Sequence, residues 1–94
     1  MIQQPDKYRF GIVSCNIILA PDITIQAKAL YSALACYANK ERTCYPSIST
    51  LSNDLNVSER TIKRLIKELK TKDLIKRIGR KLLIKWNVSY IYAY

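Results

Sequence analysis

The chain has 94 residues, with 16 Lys and Arg against 7 Asp and Glu and no histidine, for a net charge of +9. A chain of this length holds one small domain with a modest core and is too short for a multilayer enzyme. Two glycines and three prolines exclude collagen, linker arrays and low-complexity disorder, and the missing histidine removes the commonest general base and metal ligand.

Residues 1–6 lack the basic-then-apolar pattern of a secretion signal. No apolar run reaches the roughly 18 residues of a transmembrane helix. A cytoplasmic location is therefore expected, with Cys15, Cys36 and Cys44 as reduced thiols. Residues 8–19 are rich in β-branched and aromatic types and predict a short strand near Arg9–Val13, then a short helix or turn. Pro21-Asp22 punctuates the chain.

The first clear helix starts at Thr24, a plausible N-cap. Ala27, Leu30, Tyr31, Leu34 and Ala38 recur on one helical face, and residues 39–42 read as the exit. The proline of Tyr45-Pro46 pushes Tyr45 to an extended conformation. Ser47 then caps a second, shorter helix with Ile48, Leu51 and Leu55 as its apolar stripe. Asn56-Val57 is a tight turn, and Ser58 caps a third helix.

That third helix is the most regular segment. Ile62, Leu65, Ile66 and Leu69 lie within about 100° of arc, at 100° per residue. On the same scale Arg60, Lys63, Arg64 and Lys67 fall at about 160°, 100°, 200° and 140° from Ile62. After Asp73 the period changes. Leu74–Ile78 reads as a strand, Gly79-Arg80 as a two-residue hairpin turn, and Lys81–Trp86 as the return strand. Residues 88–94 alternate, with Tyr90, Tyr92 and Tyr94 on one face.

The charge follows these elements. Residues 60–85 hold eleven bases and two acids, whereas the other 68 residues hold five of each sign. All the excess charge therefore lies in one 26-residue window. An ordinary solvated helix face mixes signs, because opposite charges four residues apart attract. This window points to a polyanion. Two short helices, a tight turn, a cationic third helix and a basic hairpin make a helix-turn-helix with a wing. The expected fold is α+β: three helices, a β-hairpin wing and a short N-terminal strand. It spans 1–94 as one domain, with the helix-turn-helix at 47–72 and the wing at 74–94.

The run from Ile23 to Ile75 resembles the winged helix-turn-helix domain at the N-terminus of many phage and plasmid replication initiators and related bacterial DNA-binding proteins. The resemblance is carried by "TIQAKALYSALACYANK" (24–40), "CYPSISTLSNDLNVSERTIKRLIKEL" (44–69) and "DLI" (73–75), about half the chain. Asn87 and Tyr90 resemble the start of that family's last strand. Asp73 stands where the family often has Gly, and Leu82-Leu83-Ile84 is unusually apolar for a wing. The resemblance implies sequence-specific binding of double-stranded DNA, in replication, transcription control or DNA transfer.

On this reading Arg60, Lys63, Arg64 and Lys67 contact DNA from the third helix, with Ser58 and Thr61 near its N-terminus. Arg60 and Arg64 are the expected base readers, since arginine can grip guanine through two bonds. Ser47, Ser49 and Thr50, at the start of the second helix, are candidate phosphate donors or plain caps. Lys76, Arg77, Arg80, Lys81 and Lys85 mark the wing, with Arg77 or Arg80 suited to a minor groove. Helix and wing are about equally cationic, so either could read bases. Leu82, Leu83, Ile84 and Trp86 either fill the domain's own core or join two copies, and a homodimer is favoured.

Tyr31, Tyr37, Tyr90 and Tyr92 are expected as core or interface aromatics, and Cys36 as packed within its helix. No nucleophile–base pair, phosphate-cradling loop or four-ligand metal spacing is present, so no enzyme, cofactor, metal or small-molecule ligand is expected. A second reading takes residues 60–86 as a basic amphipathic segment that binds a membrane surface or an acidic protein.

Overall fold

Hydroxyl caps set the starts of the helices. In the computed structural model, which describes residues 12–39 and 41–85, α1 spans Cys15–Ile18, α2 Ile25–Tyr37, α3 Ile48–Leu55 and α4 Glu59–Thr71. Ser14, Thr24, Ser47 and Ser58 are their N-caps, all in extended backbone with a side-chain oxygen accepting from an early backbone N–H. Of the strand expected near Arg9–Val13, residues 9–11 lie outside the described residues and 12–13 form no strand.

The two inter-element turns of the helix-turn-helix are left-handed. Asn56, at φ 56°, ends α3, and Val57 donates its N–H back to the Ser52 carbonyl. Asp73, at φ 62°, ends α4. Asp73 donates to the Lys70 carbonyl and Leu74 to that of Leu69, which is the Schellman pattern. Leu69 and Leu74, both fully buried, supply its apolar contact. Aspartate tolerates the left-handed region better than most residues, and its carboxylate meets Lys85 Nζ at 2.6 Å.

A two-residue strand, β1 (Thr43–Cys44), follows α2 and has no counterpart in the expected fold. Helix α2 stops at Tyr37, and the turn after it is tied by Asn39. Asn39 Oδ1 accepts from the backbone of Glu41 and Thr43 and from Thr43 Oγ1. The hairpin, β2 (Ile75–Ile78) and β3 (Lys81–Ile84), then completes an antiparallel sheet in the order β1-β3-β2. Gly79 takes φ +60° at the first of the two turn positions, where a Cβ is disfavoured. The return strand stops at Ile84, short of the expected Trp86, which lies outside the described residues.

Helices α2, α3 and α4 pack on one another, and the sheet closes the open side of the core. Pairing places Leu82 opposite Cys44 and Arg77, and Ile84 opposite Ile75. Leu82, Ile84, Cys44 and Ile75 all join the core with Leu30, Tyr31, Leu34, Leu51, Ile62 and Leu65. Of the two expectations for the apolar hairpin, burial in the domain's own core holds for Leu82 and Ile84, and their assignment to a contact between two copies is corrected. Leu82 and Ile84 are buried inside the chain itself, and only half-buried Leu83 stays on the outer face. Cys36 is corrected too: it is exposed, on the outer side of α2.

Acidic side chains fasten one element to the next. Glu68 on α4 accepts from both the backbone N–H and the hydroxyl of Thr24, at 3.1–3.2 Å, and so sits at the N-terminus of α2. A carboxylate there is favoured by the helix dipole. Tyr37 donates its phenol to Asp54, linking α2 to α3. Lys72 pairs with Asp22 at 3.5 Å. Fully buried Tyr31 donates to the Lys85 carbonyl at 3.0 Å, tying α2 to the foot of β3.

Three measurements test this frame. Asp73→Gly is more stable than Asp73→Ala by about 1 kcal/mol in urea unfolding, because both lose the Lys85 contact and only alanine keeps the left-handed strain. Thr24→Ala costs about 1 kcal/mol alone, and the double variant Thr24→Ala/Glu68→Ala costs less than the two single changes added. Burial pushes the Cys44 thiol up to about 11, against an opposing pull from the Arg42 charge. The raised value favours the neutral thiol in the folded chain. That stability is intact below pH 9 and is lost as the pH climbs towards 11. Cys44→Ala therefore flattens the fall in urea midpoint between pH 9 and 11.

Candidate nucleic-acid interface

Helix α4 is divided lengthwise. Ile62, Leu65 and Leu69 are buried against α2, α3 and the sheet. Arg60, Lys63, Arg64, Lys67 and Lys70 are exposed on the other side. From Arg60 to Lys67 the helix rises about 10 Å, close to the width of a major groove. Among the described residues, Arg60, Lys63 and Lys67 form no ion pair. Arg64 differs: its Nη2 donates to Gln26 Oε1 of α2 at 3.2 Å. That neutral acceptor steadies the guanidinium without cancelling its charge, leaving other N–H groups of the fork available.

The acids of this region are drawn away from the cationic face. Glu68 is turned to the α2 cap, as described above. Asp73 is turned to Lys85. The two acids in the 60–85 window thus serve internal contacts at the rim of α4, which leaves Glu59, in the first turn of the helix, as the one acid exposed beside the four cations.

Ser58 and Thr61 lie at the start of this face. Ser58 Oγ accepts from the Thr61 N–H at 3.1 Å and shares a hydroxyl contact with Thr61 Oγ1 at 2.9 Å. Ser47 and Thr50 repeat the arrangement at the start of α3: Ser47 Oγ accepts from the Thr50 N–H and donates to Thr50 Oγ1. Ser58 and Ser47 are thus engaged as caps while remaining exposed, and Ser49 is exposed between Ser47 and Thr50. Tyr45, two residues before Ser47, is a largely exposed aromatic that the sequence marked only as extended ahead of Pro46.

In the wing, Lys76, Arg77, Arg80 and Lys81 are all exposed and, among the described residues, carry no ion pair. Lys85 stands apart from these four. It lies at the foot of the wing, half-buried, with its ammonium on Asp73. Its backbone N–H donates to the Leu74 carbonyl, and that of Ile84 to the Arg42 carbonyl. The hairpin is therefore bound on both sides at its base, and the cationic outer part projects from a fixed root.

Gln26 is the residue that sequence reasoning missed. Its place beside Arg64, 38 positions along the chain, is set by the packing of α2 on α4 and has no local signature. The second reading, of 60–86 as one amphipathic segment, does not match the backbone: the helix ends at Thr71 and a hairpin follows. Among the described residues no helix is long and apolar enough to cross a membrane.

A family model described as a helix-turn-helix domain matches residues 22–75, which takes in α2, β1, α3, α4 and the first residue of β2. Curated proteins and solved structures give no match. The match covers more than half of the 94 residues, and α3 and α4, joined by the Asn56 turn, fill its second half. With the antiparallel sheet that follows, the fold is a winged helix-turn-helix, and the chain belongs to the helix-turn-helix domain family, an architecture that binds DNA.

Proposed function

We propose that this protein binds double-stranded DNA at a specific sequence, with α4 in the major groove and the wing tip over the neighbouring minor groove. The observation that carries the reading is the α4 face: Arg60, Lys63, Arg64 and Lys67 exposed together, with Glu68 and Asp73 turned to internal contacts and Glu59, in the first turn, the one acid left exposed on the helix. A face of evenly mixed sign would need no anionic partner, whereas here four cations stand against the single exposed acid Glu59. Arg60 and Arg64 are the base readers, Arg64 held in place by Gln26. Lys63 and Lys67 neutralise phosphates. Ser58 and Thr61 add contacts at the start of α4, and Ser47, Ser49 and Thr50 donate to the backbone from the start of α3. Lys76, Arg77, Arg80 and Lys81 hold the strand beside the wing. Lys85 braces the wing from its foot. The resemblance of residues 23–75 to the domain of phage and plasmid replication initiators supports a role in replication, transcription control or DNA transfer.

Selection of bound sites from random duplexes, followed by a salt titration, tests this. A single enriched site is expected, with log affinity falling by about 0.9 per neutralised phosphate for each unit of log salt. Arg60→Ala costs about 1–3 kcal/mol of binding and relaxes the selected sequence at one position. Lys67→Ala weakens all duplexes alike and lowers the salt slope by about one phosphate. Equal affinity for every duplex would sink the specific reading. Strong sedimentation with anionic liposomes and no duplex binding would establish the membrane-surface alternative instead.

A further inference from the structure

The wing tip carries one feature that phosphate binding leaves unexplained. Ile78, the last residue of β2, is 50% exposed. Strand pairing sets it opposite Lys81, immediately before the Gly79-Arg80 turn. Side chains alternate across a strand, so Lys76 and Ile78 share one face with their partners Leu83 and Lys81. Arg77 stands on the opposite face, beyond the edge of the core. An aliphatic group thus projects at the extremity of the hairpin, flanked by Lys76 and Lys81, with Arg80 at the turn.

Other occupants of this spot fit less well. The core does not claim Ile78: Leu82 and Ile84 face inward, and β2 is buried only at Ile75. A second copy of the chain would set these same lysines and arginines against themselves in a two-fold contact. An acidic partner would satisfy the charges, and DNA satisfies them while also offering an apolar site, the gap between adjacent bases. Proteins that grip the minor groove insert isoleucine, leucine or phenylalanine between base steps, with cations on the flanking phosphates. The step opens most readily at a pyrimidine–purine sequence. A wedge must also resist being pushed back. The two bonds at the foot of the hairpin, Ile84 to Arg42 and Lys85 to Leu74, supply that resistance.

We infer that Ile78 is a wedge: with α4 seated in the major groove, its side chain enters the minor groove and partly unstacks one base step, kinking the duplex. The inference rests on the DNA-binding reading and adds deformation to it.

The experiment uses the full chain and a duplex of about 30 base pairs enriched from random sequence by the protein itself. 2-Aminopurine is placed at each step beneath the wing in turn, and its fluorescence rises on unstacking. The intact protein should raise the signal at one step. Ile78→Thr, which keeps the β-branch and the strand, should abolish that rise while leaving the salt slope unchanged, because no charge is lost. Ile78→Phe should restore it, and Arg80→Ala should weaken binding yet keep the rise in the saturated complex. Thermal melts of the free variants matching the parent show that the loss is not one of folding. Binding without a rise at any step, or a rise that persists in Ile78→Thr, overturns the wedge and leaves DNA binding standing. No binding to any duplex overturns both.

Discussion

The geometry of the whole interface depends on β3. Without a third strand the hairpin would be a two-stranded ribbon, which is marginal alone in water. Pairing with Thr43–Cys44 makes β3 the centre of a sheet, and its inward residues Leu82 and Ile84 become part of the helical core. The wing is then anchored by apolar burial as well as by hydrogen bonds. Burying two such side chains contributes roughly 3–6 kcal/mol, far more than any single surface ion pair in the molecule. Tyr31 reinforces the same place from α2 through the Lys85 carbonyl. The angle between α4 and the wing is therefore a property of the core.

This anchoring also explains the distribution of charge. A 94-residue chain at +9 repels itself, and acids spread evenly would relieve that best. Instead four of the seven acids occupy junctions: Asp22 at Lys72, Asp54 at Tyr37, Glu68 at the α2 cap and Asp73 at the foot of the wing. Each such contact is individually weak, since most are exposed. Together they join elements while staying off the outer faces of α4 and the wing. The same carboxylates that hold the frame leave the cations of α4 facing a single exposed acid, Glu59.

Much of this was legible in the sequence. The caps Thr24, Ser47 and Ser58 announce the three main helices because a hydroxyl before an apolar-periodic run has a local physical role. The split face of α4 follows from spacing alone. Gly79-Arg80 marks the hairpin turn, and Asn56-Val57 the turn between α3 and α4. What escaped is non-local. Strand β1 has two residues and no pattern of its own, and it exists because β3 offers it a partner some 40 positions away. Once β1 is unseen, Leu82 and Ile84 look stranded on an exposed hairpin and suggest a second copy. Cys36 failed for a related reason: the apolar stripe of α2 was read correctly, and Cys36 lies off it, so residue type misled where position would have served. Gln26 and the inward turn of Glu68 likewise needed the packing of α2 against α4.

A fixed angle between helix and wing has a consequence for recognition. Two cationic elements held by one core present a rigid spacing, and a duplex that engages both must match it. Straight B-form DNA has its own spacing between neighbouring grooves, and any mismatch falls on whichever partner yields more cheaply. The wing root is fixed by the buried side chains of β3 and by hydrogen bonds on both sides, whereas DNA bends at its softer steps for a few kcal/mol. On the proposed reading the DNA therefore takes up the deformation, and sequences that deform easily would be favoured at base pairs that no side chain touches. Helix and wing then cease to be rival readers: under the proposed function α4 would supply direct contacts to base edges, and the rigidly held wing would convert the mechanical properties of the adjoining sequence into binding energy.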